Sequence, residues 1–447
     1  MIILGLGTNI GDRLYNLRQA LNHLRSSQKL TNIRVSPVYE SDALLPDNAH
    51  DTWDAPYLNA AISCQTKLSP IQLLQLLKNI ETIMGRDQNH PRWSPRLIDI
   101  DILAWDNKII QNENLTIPHK RLYERPFALW PLTDLLPNWR YCLPEKNYHN
   151  KPVTEIVKLW GSRFDGNAPL HTRQISHRID TPQLVGILNI TPDSFSDGGN
   201  YIKIENAVSQ AQHLFNSGAE IIDIGAESTR PNVTNKLFPI AEWNRLQPVL
   251  QALNNHWSNA SFKPKISVDT RNTATAAKAI SFGVDWINDV TGCDNPDMCQ
   301  LIVNTKVKIV FMHHLGVPPK KNIVLNNNKN ATTQVYQWAK QRLEQLLQIG
   351  IQKERLIFDP GIGFGKSAEQ SLALIKNAAK LHKLGIPLLI GHSRKSFLNQ
   401  FTNKDFHERD IETAIFSNCL HQQNISYLRV HNVELNMRAL KIASVLS

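Results

Sequence analysis

The sequence is short of cysteine, of long apolar runs and of dense basic runs, and each shortage excludes a class of protein. Its 447 residues hold five cysteines, Cys64, Cys142, Cys293, Cys299 and Cys419, an odd number with no C-x-x-C spacing. A disulfide framework or a structural zinc site is therefore not expected, and a reducing cytoplasm fits. No stretch of about 18 apolar residues occurs, so no membrane span is expected. The opening Met-Ile-Ile-Leu-Gly-Leu-Gly has no basic region and no long apolar core, and reads as a strand rather than a signal peptide. The formal net charge is +10, yet no five Lys or Arg residues run together. No zinc-finger or RNA-recognition pattern occurs either. Small anionic substrates are expected, not nucleic acid or a membrane.

With 42% hydrophobic residues the chain can bury a sizeable core, and its length favours two domains. The first part lacks strict alternation. Strands are expected at 2–6, 33–39, 57–66 and 97–105. Helices are expected at 16–24, from Ser69-Pro70 to about 84, and at 125–136. Irregular mixing of this kind suggests an α+β sandwich over residues 1–160. Residues 161–180 are polar, without an apolar period, and read as an interdomain linker. Beyond them the pattern becomes regular. Apolar runs recur at 184–190, 221–224, 266–268, 286–287, 307–311, 356–358, 388–390 and 427–430, with helix-like segments between. Eight strands alternating with helices over 181–447 match a (β/α)8 TIM barrel, with a doubly wound open sheet as the alternative.

The residues just after each apolar run are the informative ones. Polar or ionisable residues stand after all eight, among them Asn189, Asp269, Asn288, Asp359, Arg429 and His431. In a parallel barrel these ends share one rim, where sites are built. A single Asp or Asn there is ordinarily a helix cap, but Arg, Lys and His do not cap N-termini. Arg230, Lys395, Arg429 and His431 therefore suggest an anion pocket, and Asp269, Asn288 and Asp359 suit a ligand rich in N–H donors, such as a pterin ring. Pro360-Gly-Ile-Gly-Phe-Gly-Lys-Ser367 approaches a nucleotide-binding loop, but Pro360 stands where the first Gly belongs. Its glycines are expected to let the chain turn at the rim. In the first part, Asp99 and Asp101 lie two apart on a strand and so share a face. Bound Mg²⁺ would relieve their repulsion and suit ATP phosphates, with Arg92 and Arg96 adjacent; an exposed strand face is the other reading. Leu4-Gly-Leu-Gly-Thr-Asn-Ile-Gly-Asp12 is taken as a glycine-permitted strand-to-helix turn.

These motifs resemble two families over nearly the whole chain. Gly7-Thr-Asn-Ile-Gly-Asp-Arg13, Tyr57-Leu-Asn59, Arg92-Trp93, Pro95-Arg96, Asp99-Ile-Asp101 and Pro118-His119 resemble 6-hydroxymethyl-7,8-dihydropterin pyrophosphokinases. The runs 189–197, Asp223 with 227–231, 359–365, 391–395 and Arg429-Val-His431 resemble dihydropteroate synthases. Fused enzymes of this order are known. The resemblance implies a ferredoxin-like first domain, in which Asp99 and Asp101 bind two Mg²⁺ that bridge ATP. Arg86, Arg92, Arg96, His119 and Arg125 would contact phosphates or hold a catalytic loop, and Tyr57, Asn59 and Phe127 would hold the pterin. In the barrel, Asp269, Asn288, Asp359 and Lys395 would hold the pterin. Asn189, Arg429 and His431, with one Mg²⁺, would take the diphosphate. Thr229, Arg230, Pro231, Phe364 and Ser393 would shape the p-aminobenzoate side. A homodimer through the barrel is implied by analogy of fold.

Several positions depart from the families. Ser94 replaces Gly or Ala, Gln88, Asn89 and Asn114 replace residues that are often basic, and Met312-His-His-Leu replaces His-Met-Gln. The polar stretch 322–330 is expected to be mobile. Two other readings stay open: a barrel that is the sole active domain, and a methyltransferase-type pterin-binding barrel, which needs no diphosphate pocket.

Overall fold

In the first half of the chain, apolar residues at strand spacing build an antiparallel sheet. A computed structural model describes residues 1–46, 49–86, 94–143, 148–164, 166–175, 177–190, 200–227, 237–258, 260, 263–320 and 322–446. They divide into two units, 1–180 and 181–447.

In the first unit, β1 (Ile2–Thr8) lies between β4 (Tyr57–Thr66) and β5 (Asp99–Trp105). On its other edge β4 pairs with β2 (Leu30–Val35) and β3 (Tyr39–Ser41). The single strand expected at 33–39 is thus two strands. The break falls at Ser36-Pro37, where proline offers no amide to a ladder and the Ser36 hydroxyl accepts the Ala61 N–H at 2.9 Å. Helix α1 (Arg13–Ser26) starts where the Asp12 carboxylate accepts the Tyr15 N–H. Helix α2 (Pro70–Ile83) starts with a reciprocal Ser69–Gln72 capping box. The short pair β6 (Ile110–Gln111) and β7 (Thr116–Ile117) precedes α3 (Pro126–Leu135) and α4 (Val153–Val157). These two helices cover the sheet face that presents Ile3, Ala61 and Leu103. Residues 161–180, read from polarity as a linker, belong to this unit. They include β8 (Arg173–Gln174), which pairs with β3. Backbone pairing onto an open sheet edge needs no apolar period, so composition gave no sign of it.

The second unit is the barrel. Strands β9 (Gln183–Asn189), β10 (Ala219–Gly225), β11 (Lys265–Asp269), β12 (Trp286–Asp289), β13 (Lys308–Met312), β14 (Leu356–Asp359), β15 (Leu389–Ile390) and β16 (Tyr427–Val430) form one parallel sheet. β16 pairs β9, and β15 meets β14 at a bridge between Phe358 and Leu388, which completes the ring and removes the open-sheet alternative. Among the described residues, eight α-helices intervene or come after: α5 (Asn200–Asn216), α6 (Pro239–His256), α7 (Thr273–Ser281), α8 (Pro296–Val303), α9 (Ala331–Gln348), α10 (Ala368–Lys376), α11 (Asp410–His421) and α12 (Val433–Leu446). Val185, Ile221, Trp286, Val310, Ile357, Leu389 and Tyr427 pack together as one buried layer. Strand periodicity then puts Asp223, Asn288, Met312, Asp359, Gly391 and Arg429, each two residues further on, above that layer on the same side.

The stretch 322–330 differs from its expected mobility. Leu325 is buried, its amide donates to Gly365 O, and Gln370 donates to Leu325 O at 2.9 Å and Asn327 Oδ1 at 2.7 Å. One apolar anchor and these hydrogen bonds outweigh the polar composition. Among the described residues no helix is long and apolar enough to cross a membrane.

Candidate active sites

The first site is a cleft of about 220 Å³ floored by β1 and β5. Gly5 and Gly7 stand opposite Asp101 and Asp99 in the β1–β5 register. Both glycines are thus strand residues of the floor, and only Gly11, at φ +67°, belongs to the turn read from the sequence. A Cβ on Gly5 would come within 2.9 Å of the Leu103 side chain, so glycine keeps the floor clear.

Asp99 and Asp101 share a face, as their spacing requires. Arg86 Nη1 donates to Asp99 Oδ1 at 2.5 Å and Arg96 Nη1 to Asp99 Oδ2 at 3.0 Å. Burial opposes ionisation of Asp99, but Arg86 and Arg96 hold it below its ordinary value. Asp101 has no such clamp. Burial, and then the Asp99 charge, push it up to about 7. Arg125 Nη1 lies 3.4 Å from His119 Nε2, and burial, with Arg125 adding to it, holds His119 down at about 4, hence neutral. Tyr57, Asn59, Arg96, His119, Arg125 and Phe127 all line the same cleft. Asn59 Nδ2 donates to Ser41 Oγ at 3.0 Å.

Sequence reasoning missed Glu81. This buried carboxylate on α2 accepts from Arg86 Nη1 at 2.7 Å, from Lys78 Nζ at 3.0 Å and from the Ile100 N–H at 2.7 Å. It therefore braces the edge strand between the two aspartates and the arginine that holds one of them. Its signal was an acidic residue on the apolar face of α2, four places after Leu77. Arg92 lies outside the described residues, as do Gln88 and Asn89. Ser94 is buried, and its carbonyl accepts from Arg96 Nε at 3.2 Å.

The second site is the barrel rim. Arg429 Nε donates to Asp223 Oδ2 at 2.6 Å and Nη2 to Asp269 Oδ2 at 2.9 Å. Asn288 Nδ2 also reaches Asp223 Oδ2, at 3.2 Å. The rim is thus not the excess of positive charge read from the sequence, because two carboxylates match Arg429. Asp223 was missed as a site residue, though a charge inside Ile221-Ile222-Asp223-Ile224 was its signal. Burial raises Asp269 to about 7 against the pull of Arg429, and raises Asp359, whose Oδ1 accepts the Gly361 N–H at 2.7 Å. Lys395 Nζ lies 4.5 Å from the Phe364 ring centre, and burial, then Arg429, lower it to about 8. Asn189 ends β9. Thr229, Arg230 and Pro231 lie outside the described residues.

Ser393 joins His431. Its Oγ accepts the His431 N–H at 3.2 Å and lies 3.0 Å from His431 Nδ1. Ser393 is buried, so its Oγ holds both the backbone and the ring of His431 in place. Burial, with Arg394, Arg429 and Lys395 adding to it, holds His431 down at about 3, so it is neutral.

The glycine-rich loop is no nucleotide cradle. A Cβ on Gly361, at φ +66°, would stand 2.0 Å from His313 O, which explains the glycine. Lys366 is buried and donates to His313 O at 3.0 Å and Phe364 O at 2.9 Å, which ties the loop to the residue after β13.

Residues 3–137 match a family model described as 7,8-dihydro-6-hydroxymethylpterin-pyrophosphokinase, and residues 185–431 match one described as pterin binding enzyme. A folate synthesis bifunctional protein of Chlamydia caviae is 36% identical, covering 99% of this chain and 97% of the relative. This chain belongs to the bifunctional folate-synthesis family. Its first unit is a pyrophosphokinase and its barrel a dihydropteroate synthase, both transferases. The folate-synthesis barrel resembles the dihydropteroate synthase of Anaplasma phagocytophilum with bound 6-hydroxymethylpterin-monophosphate. That match has 38% identity and a TM-score of 0.54, over 60% of this chain and all of that one. It also resembles the Xanthomonas albilineans synthase with 4-aminobenzoic acid, at 31% identity and TM-score 0.55, over 60% of this chain and 93% of that one. The methyltransferase alternative falls with these matches.

Proposed function

We propose that the cleft around Asp99 and Asp101 transfers diphosphate from ATP to 6-hydroxymethyl-7,8-dihydropterin, and that the rim around Arg429 joins the product to p-aminobenzoate. The observation that carries the first half is the lone, elevated carboxyl of Asp101 beside a clamped Asp99. Hard oxygen donors suit Mg²⁺, and among the described residues no three His, Cys, Asp or Glu side chains gather as a metal cluster. Two ions at this pair would therefore take their other ligands from ATP and water, and would supply charge neutralisation at the phosphates. Tyr57, Asn59 and Phe127 orient the pterin so that its hydroxymethyl oxygen faces the β-phosphorus. Arg86, Arg96 and Arg125, joined by Arg92, oppose the phosphate charge as AMP leaves, and the neutral His119 contacts the phosphates without adding charge.

In the barrel, Asn288, Asp269 and Asp359 accept and donate along the pterin edge while Lys395 covers its face. The neutral His431 imidazole and Arg429 meet the departing diphosphate, and Asn189 would offer an oxygen to a Mg²⁺ whose charge would offset that of the diphosphate. Thr229, Arg230, Phe364 and Ser393 border the p-aminobenzoate, whose amine takes the pterin methylene as diphosphate departs. Free cysteines fit a cytoplasmic setting, and exposed Ile411, Ile415 and Ile442 on α11 and α12 offer apolar surface for pairing of barrels. A coupled assay with ATP, Mg²⁺, hydroxymethyldihydropterin and p-aminobenzoate tests both halves. AMP without dihydropteroate would sink the barrel assignment, and neither product would sink both.

A further inference from the structure

The segment between the two family matches is built onto the kinase cleft. Residues 138–184 belong to neither match. Within them, β8 adds to the edge of β3, with Tyr39 opposite Gln174 and Glu40 opposite Arg173. The Ile175 N–H donates to Val38 O at 2.9 Å, and Arg173 donates to Glu40 at 3.0 Å. Just before β8 the chain turns back sharply, with an isolated bridge between Ala168 and Thr172. At the tip, Leu170 and His171 both have positive φ, +60° and +43°. L-residues adopt that region at a cost, so two in succession persist only where surroundings hold them. Two of the contacts that hold them are with Asp42. The Asp42 N–H donates to Leu170 O at 2.7 Å, and His171 Nδ1 lies 2.6 Å from Asp42 Oδ2.

Asp42 and its neighbour Ser41 line the cleft. Ser41 Oγ in turn receives the amide of Asn59. A continuous path of backbone and side-chain bonds thus runs from Leu170 and His171, through Asp42 and Ser41, to the asparagine that faces the pterin. We infer that residues 168–174 are a clasp that positions the Ser41–Asp42 wall for binding 6-hydroxymethyl-7,8-dihydropterin. The inference rests on the reading that this cleft takes the pterin. Leu170 and His171 are positioning residues that act through their backbone, the Leu170 carbonyl taking the Asp42 N–H, while the exposed His171–Asp42 side-chain pair contributes little. The kinase of this chain therefore depends on sequence that lies beyond the residues matching its own family.

The test uses the full chain. Replacing Leu170→Val with His171→Val disfavours positive φ through β-branching, while Leu170→Gly with His171→Gly permits it. The valine pair should weaken pterin binding, measured by calorimetry with Mg²⁺ and a non-hydrolysable ATP analogue, about tenfold. Affinity for the ATP analogue alone and synthase activity supplied with pterin diphosphate should both stay within about twofold, which also reports that the chain folds. The glycine pair should bind pterin as the wild type does. A second measurement needs no variant. If the clasp positions the wall, pterin must reciprocally stabilise the clasp, so hydrogen exchange at the Asp42 amide should slow about tenfold on binding. Wild-type pterin affinity in the valine pair, or an Asp42 amide whose exchange does not respond to pterin, overturns the proposal. Asn59→Ala separates the two ideas. If it keeps full pterin affinity, the cleft reading falls and the clasp with it; if it loses affinity while the valine pair does not, only the clasp falls.

Discussion

The two sites treat buried carboxylates in opposite ways. In the kinase cleft Asp99 is held by two arginines while Asp101, two residues along the same strand, is left with its charge opposed by its neighbour. In the barrel, Asp223 and Asp269 come from different strands and converge on one guanidinium. The first arrangement leaves a demand for cations that ATP can bring with it. The second is neutralised from within, so its arginine is fixed in place before any ligand arrives. Carboxylates two apart on one strand stand side by side on one face, whereas a closed ring aims side chains from many strands at one centre.

The sharpest way to break this contrast is Asp101→Ala. It should lower AMP formation by at least about a thousandfold, as expected for loss of a metal-binding oxygen at a phosphoryl-transfer site. Dihydropteroate formation from supplied pterin diphosphate should not change. Full AMP production would remove the two-carboxylate site. Next comes Asp223→Ala, which leaves Arg429 short of a partner inside the ring. Breaking a buried pair from one side costs about 3–5 kcal/mol, and the loss should appear in the barrel's unfolding transition alone. Arg429→Ala should weaken pterin diphosphate binding about tenfold or more beyond any loss for the free pterin. Equal losses in calorimetry would take Arg429 out of the diphosphate site.

The smallest effect concerns pH. The folded Asp101 carboxyl, pushed up to about 7, binds a proton that the unfolded one, near 3.9, has lost. Between those values the folded state holds more protons, so stability of the metal-free kinase unit falls as pH rises through that window. Asp101→Asn should therefore stabilise this unit at pH 8 without Mg²⁺ and make little difference at pH 4, as thermal unfolding can show. Mg²⁺ affinity should fall as pH drops through about 7, because the ligand must be ionised.

Much of this was legible residue by residue. The strands Tyr57–Thr66 and Tyr427–Val430 have the bounds that their apolar runs suggested, and the Ser69-Pro70 signal opens α2 as a capping box. Asp99 and Asp101 share a face because strand periodicity leaves no other outcome. Glu81 was not legible as a brace, since its partners Arg86 and Ile100 meet it only once α2 lies against β5. The tie between Ser393 and His431 was equally hidden, 38 positions apart in the chain.

By itself the sequence determined the eight-strand period, the paired aspartates and the motifs of two enzymes, all of which depend on spacing between near neighbours. Only the tertiary structure decided that Arg429 is matched by Asp223 and Asp269, and that the polar stretch after the kinase folds back onto β3. Ring closure and edge pairing join residues far apart in the chain, and their bonds run through backbone and buried charge rather than through any local period.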